Sequence, residues 1–127
     1  MAKQPMKSLT ESMFYVLLAL WRQERCGTEI AAYVRELTAG RVALGPGTLY
    51  AILGKFQEEA LIKETWSQGR MRVYRITGAG RELFRREMEN MRRCVDDGQR
   101  EMGEEEEGKG AGAREQEREE GAEQPLL

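Results

Sequence analysis

Apolar residues recur at helical spacing in four stretches of the chain and alternate at strand spacing in one region. The central stretch begins with Gly45 and Pro46, which suit the N-cap and the first position of a helix. From there to Phe56 and Ala60, apolar residues recur every third or fourth position, which predicts one buried stripe. The opposite side of this helix carries short or polar side chains, with an aromatic ring at its edge: Thr48, Ala51, Lys55 and Tyr50.

Two helices are predicted before this stretch. The motif Ser8-Leu9-Thr10-Glu11 has the spacing of a capping box with Ser8 as the cap, and it predicts a helix over about 9–21. A second helix is predicted over about 27–37, with Gly40 as its terminator. The first helix is apolar on almost every side, so it must be covered by more than its own small domain. This pattern predicts contact with a second copy of the chain.

Two strand-like runs follow the central helix, over 61–66 and 71–76, and a glycine-bearing turn joins them. Cations lie at the tip of the predicted hairpin and along its strands: Lys63, Arg70, Arg72 and Arg75. Three helices followed by a basic hairpin have the order of a winged helix-turn-helix. In that arrangement the central helix enters the major groove, and the cations of the hairpin contact phosphates or the minor groove.

A last helix is predicted from about Gly78, with Thr77 as its cap, and it is expected to end near Asp97. Its apolar residues follow a coiled-coil-like spacing of four, three and four from Phe84. Since three helices already fill a small core, we expect this seam to contact a second copy of the chain and not to fold back; a helix packed on its own domain is the alternative. The predicted dimer interface joins the seam to the first helix: Phe14, Leu17, Leu18, Trp21, Leu83, Phe84, Met88, Met91 and Val95.

Charge is distributed unevenly along the 127 residues. Residues 1–97 hold 16 Lys and Arg against 12 Asp and Glu, a net charge of +4, whereas residues 98–127 hold 4 against 10, a net charge of −6. A basic body indicates an anionic partner. The glutamate- and glycine-rich end lacks aromatic residues and is expected to be disordered or at most transiently helical. We therefore predict a DNA-binding domain at 1–77, a dimerisation helix at 78–97 and an acidic tail at 98–127.

The composition argues against an enzyme. The chain has no histidine and only two distant cysteines, Cys26 and Cys94, which excludes a zinc site within one chain and histidine-based acid–base catalysis. No nucleophile elbow, phosphate loop or acid–base pair is present. We expect no cofactor, no metal, and reduced cysteines as in a cytoplasmic protein. The longest apolar run, 13–21, is too short to span a bilayer, so no membrane partner is expected.

Several motifs occur in a characteristic order between residues 8 and 95. The first is 8–11 with the apolar run 13–20, and the second is Gly27-Thr28-Glu29-Ile30. The most specific is Leu44-Gly45-Pro46-Gly47-Thr48-Leu49-Tyr50, which is followed by Glu58-Glu59-Ala60-Leu61-Ile62 and by the hairpin region 69–83. Together they resemble the PadR family of regulators, with Thr28 in place of that family's tyrosine and Ala60 in place of its glycine.

The resemblance implies a homodimeric winged-helix transcription factor, usually a repressor, of the subgroup with a single C-terminal dimerisation helix. Its partner would be double-stranded DNA, with an inverted-repeat operator whose half-site centres lie about 10 bp or a multiple apart. Some members of the subgroup bind flat aromatic drugs or phenolic acids, so a small aromatic effector is expected in a pocket at Phe84, Met88 and Met91. The residues expected to contact DNA lie on the central helix and the hairpin: Pro46, Gly47, Thr48, Tyr50, Ala51, Lys55, Gln68, Gly69, Arg70 and Arg72.

A second function remains open from the sequence. A winged helix can serve as a protein-interaction module without binding DNA, because fold does not dictate function. The modest charge of the body and the acidic tail favour this alternative. Binding to double-stranded DNA in a gel-shift titration separates the two.

Overall fold

The computed structural model describes the backbone of residues 8–111 and the side chains of residues 8–103. Its elements are α1 (Glu11–Ala19), β1 (Arg25–Cys26), α2 (Gly27–Leu37), α3 (Pro46–Glu58), β2 (Ile62–Gln68), β3 (Met71–Ile76) and α4 (Gly78–Ala111). The chain divides into two compact units, 1–88 and 89–127. The first unit is mainly helical with a small sheet, which confirms the predicted winged helix-turn-helix.

The core of the first unit draws apolar side chains from α1, α2, α3, the sheet and the start of α4. Phe56 of α3 is fully buried, and so are Leu17 of α1 and Ile30 and Val34 of α2. The sheet adds Tyr74 and two isoleucines. α1 is buried along one side and half-buried along the other, because α2, α3 and α4 together cover it. The predicted all-apolar first helix therefore finds most of its cover within its own chain.

The first helix is shorter than its sequence predicts. Thr10, and not Ser8, is the N-cap, and its Oγ1 accepts the N–H of Met13 at 3.2 Å. α1 ends at Ala19 because the next two N–H groups bond to carbonyls only three residues back. The capping arrangement predicted at Ser8 occurs instead at α2, where the N–H of Cys26 donates to Oε1 of Glu29 at 2.9 Å.

α2 and α3 begin at the predicted residues, and both end in the same hydrogen-bonded motif. α2 spans Gly27–Leu37 and α3 begins at Pro46 with Gly45 as its N-cap. At the end of α3 the N–H of Leu61 donates to the carbonyl of Phe56 at 2.9 Å, and the residue between cap and Leu61 has a left-handed φ of 61°. These are the marks of a Schellman motif.

The sheet has three antiparallel strands in the order β1-β3-β2. The hairpin of β2 and β3 was predicted, although β2 extends two residues farther, to Gln68. The short strand β1 was not predicted, because two residues, Arg25 and Cys26, carry no alternation. Arg25 holds this strand in place: its Nε donates to the carbonyl of Ala19 at 2.7 Å, and its guanidinium lies 4.3 Å from the centre of the Tyr33 ring.

α4 begins where predicted and packs its first two turns on the core. Oγ1 of Thr77 accepts the N–H of Gly80 at 3.1 Å, which confirms Thr77 as the cap. Gly80 lies so close to β2 that an added Cβ would overlap the carbonyl oxygen of Leu61. Leu83 and Phe84 are 3% and 6% exposed. The expectation that this part of the seam cannot fold back on its own core is therefore wrong.

The second unit is, in the described residues, the remainder of α4, which runs to Ala111. It therefore continues 14 residues beyond the predicted end at Asp97, into the stretch that the sequence predicts to be disordered or at most transiently helical. Glutamate, arginine, glutamine and alanine are all good helix formers. Exposed pairs one turn apart also support this helix, at Arg93 with Glu89 and Arg100 with Asp97. Residues 112–127 lie outside the described residues.

Candidate nucleic-acid interface

α3 has a buried face and an exposed face, as its sequence predicts. The N–H of Leu49 donates to the carbonyl of Gly45 at 2.9 Å, so the helix starts directly at Pro46, whose missing N–H leaves no unpaired donor. The exposed face carries side chains too short to hold the helix away from a groove floor. It contains all six α3 residues expected to contact DNA: Pro46, Gly47, Thr48, Tyr50, Ala51 and Lys55.

Tyr50 is the largest side chain at the edge of this face, and 50% of it is exposed. Its ring lies against Gly27, the first residue of α2, where an added Cβ would overlap the hydroxyl and the ring. Gly27 was predicted only to open α2, and its role as the support of Tyr50 was missed. The available signal was a glycine inside a first helical turn, where another residue would favour the helix more.

Tyr74 of β3 is buried behind the hairpin. Burial raises the pKa of its phenol, and the nearby carboxylate of Glu64 raises it further, so the group is neutral at physiological pH. The charge of Tyr50, were it ionised, would act in the same direction. Tyr74 therefore adds no charge behind the hairpin.

The hairpin tip is a two-residue loop, Gly69–Arg70. Gln68 and Met71 face each other across it, and Gly69 has a φ of 60°. A glycine with positive φ in the first loop position is typical of a type II′ turn, whose twist matches that of the flanking strands. Gln68, Gly69 and Arg70 are all exposed, as the sequence predicts for a tip that contacts DNA.

Arg72 is exposed and paired with a carboxylate. Its Nη1 lies 3.3 Å from Oε2 of Glu64, on the neighbouring strand. Lys55 of α3 similarly lies 3.9 Å from a carboxylate oxygen of Glu59. The Arg72–Glu64 pair is partly exposed on both sides, and an ion pair of this kind contributes little free energy, so a phosphate can replace that carboxylate at modest cost. These two acidic partners were not recognised from the sequence.

A β-bulge lies in β2 at Thr65. The pairing register shifts between Glu64 and Trp66, and the Thr65 hydroxyl donates to Oε1 of Glu24 at 2.8 Å. Beyond the bulge, Trp66 and Met71 are about half exposed. Neither exposed side chain was predicted. Without a bulge, the regular alternation of side chains along β2 places Trp66 on the opposite face of the sheet.

A protein-family model matches the part of the chain that forms this fold. The model of the transcriptional regulator PadR-like family matches residues 16–86, which is more than half of the chain. The chain belongs to this family. Among curated proteins, the PadR-like chain is 35% identical over 83 residues to an uncharacterised 37.1 kDa protein in transposon TN4556 of Streptomyces fradiae. The match covers 65% of this chain but only 24% of that protein, so the chain spans about a quarter of its relative's length.

Solved structures share the fold of the PadR-like chain at low sequence identity. A transcriptional regulator from Clostridium thermocellum has a TM-score of 0.61 at 22% identity, over 66% of this chain and 85% of that one. A PadR family regulator from Clostridium difficile has a TM-score of 0.59 at 24% identity, over 71% and 95%. Bacillus subtilis PadR, solved in complex with operator DNA, has a TM-score of 0.53 at 21% identity, and the match covers 60% of this chain and 46% of PadR.

The residues predicted to form a dimer interface in this PadR-like chain lie in three different settings. Three are buried in the core of the first unit: Leu17, Leu83 and Phe84. Three are half-buried on α1 or just after it: Phe14, Leu18 and Trp21. Three are exposed on α4, the first in the first unit and the others in the second: Met88, Met91 and Val95. The exposed and half-buried residues are available to a partner, and the interface itself stays a prediction.

A groove of about 430 Å³ lies between α1, the end of α2 and the start of α4. Phe84 and Met88, two of the three residues of the predicted effector pocket, line it together with Phe14, whose ring stacks on Phe84 at 4.7 Å. Met91 belongs to the second unit. At the rim, Arg41 donates to Glu11 at 2.6 Å and to the hydroxyl of Tyr15 at 2.9 Å. The groove is therefore apolar inside and carries an ion pair at one edge.

Two further features concern metal ions and membranes. Among the residues that the structure describes, no group of three or more carboxylate or thiol side chains is arranged to hold a metal ion. No helix in that range combines the length and the apolar composition that crossing a membrane requires. Cys26 is buried, Cys94 is exposed, and both are free.

Proposed function

We propose that this chain is a sequence-specific DNA-binding regulator that acts as a homodimer and represses its target genes until a small aromatic effector releases it. The observation that carries the proposal is the exposed, short-chain face of α3 beside a hairpin whose tip carries exposed arginines, in a chain of the PadR-like family. The fold that the chain shares with Bacillus subtilis PadR, a protein solved with operator DNA, supports the same proposal.

In this proposal α3 lies in the major groove. Thr48 and Ala51 contact the edges of the bases. The hydroxyl of Thr48 can bond to either a donor or an acceptor on a base, and the methyl group of Ala51 can contact the methyl group of thymine. Tyr50 and Lys55 lie beside them and contact the edge of the site or the backbone. Since Gly27 supports the ring of Tyr50, the N-terminus of α2 fixes the direction in which the tyrosine hydroxyl points.

The hairpin contributes phosphate contacts. Arg70 has no ion-pair partner among the described residues, so its charge is free for an anion at the tip. Arg72 exchanges Glu64 for a phosphate when DNA binds. Contacts of this kind position the protein on any duplex and make its affinity depend on salt, whereas the face of α3 supplies the sequence preference.

Selection of bound duplexes from a random pool tests the central claim. We expect an inverted repeat whose half-site centres lie about 10 bp or a multiple apart, because two α3 helices related by a two-fold axis enter successive major grooves. Thr48→Val and Ala51→Ser should change the selected bases. Failure to enrich any duplex at low salt would contradict DNA binding and favour a protein-interaction role.

Salt titrations test the hairpin separately. Replacing Arg70 and Arg72 by glutamine should weaken binding to every duplex and flatten the slope of log K against log salt by about 0.9 for each phosphate that the hairpin no longer neutralises. Glu64→Gln should strengthen binding to all sequences, because Arg72 then has no competing carboxylate. Arg35→Gln, at the exposed end of α2, is the matched control. Equal slopes in the wild type and the double variant would rule out the hairpin contacts.

The effector site in this proposal is the groove between α1, α2 and α4. Its volume of about 430 Å³ lies within the usual range for small-molecule pockets. Its rings at Phe14 and Phe84 offer stacking surfaces for a flat aromatic molecule. A fluorescent planar dye should bind the protein and lower its affinity for the selected duplex, and Leu18→Trp should block the dye by filling the groove. If the dye binds equally well to Leu18→Trp, its site lies elsewhere.

A further inference from the structure

A second cavity, of about 350 Å³, lies where the end of α1, the loop before β1, the end of β3 and the start of α4 meet. Three guanidinium groups line it, from Arg22, Arg75 and Arg81, against one carboxylate, Glu24. Such a concentration of one charge around a concave surface attracts anions. The DNA-binding proposal uses none of these residues.

The described part of the chain offsets only part of the positive charge of this cavity, since Glu24 supplies one carboxylate against three arginines. Arg22 and Arg75 have no hydrogen-bond or ion-pair partner there. The guanidinium group of Arg81 donates to the backbone carbonyl of Trp21 at 2.9 Å and lies 4.5 Å from the centre of the Trp21 ring. These contacts hold Arg81 in place without a negatively charged partner. The carboxylate of Glu24 already accepts a hydrogen bond from the Thr65 hydroxyl.

Strand pairing adds a fourth cation next to the cavity. Lys63 of β2 lies directly opposite Arg75 of β3 in the register. Like charges in directly opposed positions of an antiparallel pair destabilise the sheet. An anion bound beside this pair and the two further arginines would reduce the repulsion between the like charges.

The cavity is separate from the surface proposed to contact DNA. Arg75 is five residues from Arg70 at the hairpin tip, a distance of about 16 Å along a strand. Arg72 and Arg75 are three residues apart on a strand without an irregularity of its own, so their side chains leave opposite faces of the sheet. The arginine of the cavity and the arginines of the hairpin surface are therefore separate in position and in the face of the sheet that they leave.

We propose that this cavity is a binding site for a phosphate or carboxylate oxyanion, held by the guanidinium groups of Arg22, Arg75 and Arg81. Guanidinium groups present paired N–H donors that match the spacing of the oxygens in both kinds of anion. A free phosphorylated or carboxylated small molecule has this chemistry.

Tryptophan fluorescence of the full chain tests the site with inorganic phosphate. The chain has two tryptophans, and Trp66→Phe leaves Trp21, which lines the cavity, as the single reporter. Titration at constant ionic strength against chloride should give a saturable change. Arg75→Gln and Arg22→Gln should each weaken the apparent affinity for phosphate about tenfold, because each removes one charged pair of hydrogen-bond donors. Arg92→Gln, exposed in the second unit, should change nothing.

Two results would overturn the proposal. One is the absence of a saturable phosphate response in the wild type and in Trp66→Phe. The other is a response that Arg22→Gln and Arg75→Gln leave unchanged, since the anion would then bind elsewhere. Neither result affects the DNA-binding proposal, which is read from duplex affinity and depends on different arginines.

Discussion

Tyr50 and Gly27 form a contact whose disturbance should affect DNA binding more than folding. In Gly27→Ala the new methyl group overlaps the tyrosine hydroxyl, which lies at the free end of a side chain and can move away. We expect the free energy of unfolding to change by less than about 1 kcal/mol, because alanine also favours the helix. The affinity for the selected duplex should fall about tenfold as Tyr50 turns aside. Urea denaturation and gel-shift titration measure the two effects.

A substitution at Gly80 should affect folding more than DNA binding. A methyl group at this position overlaps the carbonyl oxygen of Leu61, which also accepts the N–H of Thr77 at 3.0 Å and cannot move without breaking that hydrogen bond. Gly80→Ala should therefore lower the free energy of unfolding by about 1–3 kcal/mol, as overpacking does. If Gly27→Ala proves the more destabilising of the two, the contact with Tyr50 is a rigid part of the core and not an adjustable support.

Glu29 makes the start of α2 sensitive to acid. Its carboxylate accepts the backbone N–H of Cys26, and this hydrogen bond lowers the pKa of Glu29 below its ordinary value of 4.5. The contribution to stability is therefore complete above that value and is lost as the pH falls through the lower, folded-state pKa. The difference in free energy of unfolding between the wild type and Glu29→Gln should be larger at pH 7 than at pH 3. Glu36→Gln, exposed on the same helix, is the control, and a difference independent of pH would contradict the assignment.

At the scale of elements, the sequence predicts those helix and strand boundaries that residues within one turn determine. It does not predict the features that depend on contacts between residues far apart in the chain. The sequence Gly45-Pro46 places the start of α3 correctly, because cap and first-turn residues act within one helical turn. Two features lie beyond such reasoning: the two-residue strand β1, and the bulge at Thr65, which exists only relative to a partner strand. The cavity lined by Arg22, Arg75 and Arg81 was missed for the same reason, since its residues are far apart in the chain.

The Schellman motif at the end of α3 leads to a stabilising substitution. Ala60 has a φ of 61°, a left-handed conformation that costs a residue with a side chain about 1–2 kcal/mol and glycine almost nothing. Ala60→Gly should raise the free energy of unfolding by about 0.5–1 kcal/mol, since the added freedom of the unfolded chain offsets part of the gain. Ala79→Gly, exposed in the first turn of α4, should do the reverse. Thermal unfolding measures the change in stability of the two variants. A lower stability of Ala60→Gly than of the wild type would contradict the strain assigned to Ala60.

At the scale of the whole molecule, the apolar spacing of α4 serves two purposes that the sequence does not distinguish. Leu83 and Phe84 fill the core of their own unit, while Met91 and Val95 are 38% and 56% exposed in the second. The same helical pattern thus continues from residues that contact the chain itself to residues that no described contact covers. Periodicity identifies an apolar face, but only the positions of the other elements tell which part of the face they cover.

The exposed part of that pattern should hold two copies of the chain together. Met91→Glu would place a carboxylate in the proposed apolar seam of each subunit, and burying an unpaired charge should weaken the dimer about 100-fold or more. Asn90→Glu adds the same charge one residue away, off the seam, and should leave the dimer intact. Sedimentation equilibrium should give about 29 kDa, twice the chain mass of 14.5 kDa, for the wild type and Asn90→Glu, and the mass of one chain for Met91→Glu. Unchanged helicity by circular dichroism would show that Met91→Glu still folds. Equal masses for the two variants would place the dimer contact, if there is one, outside this seam.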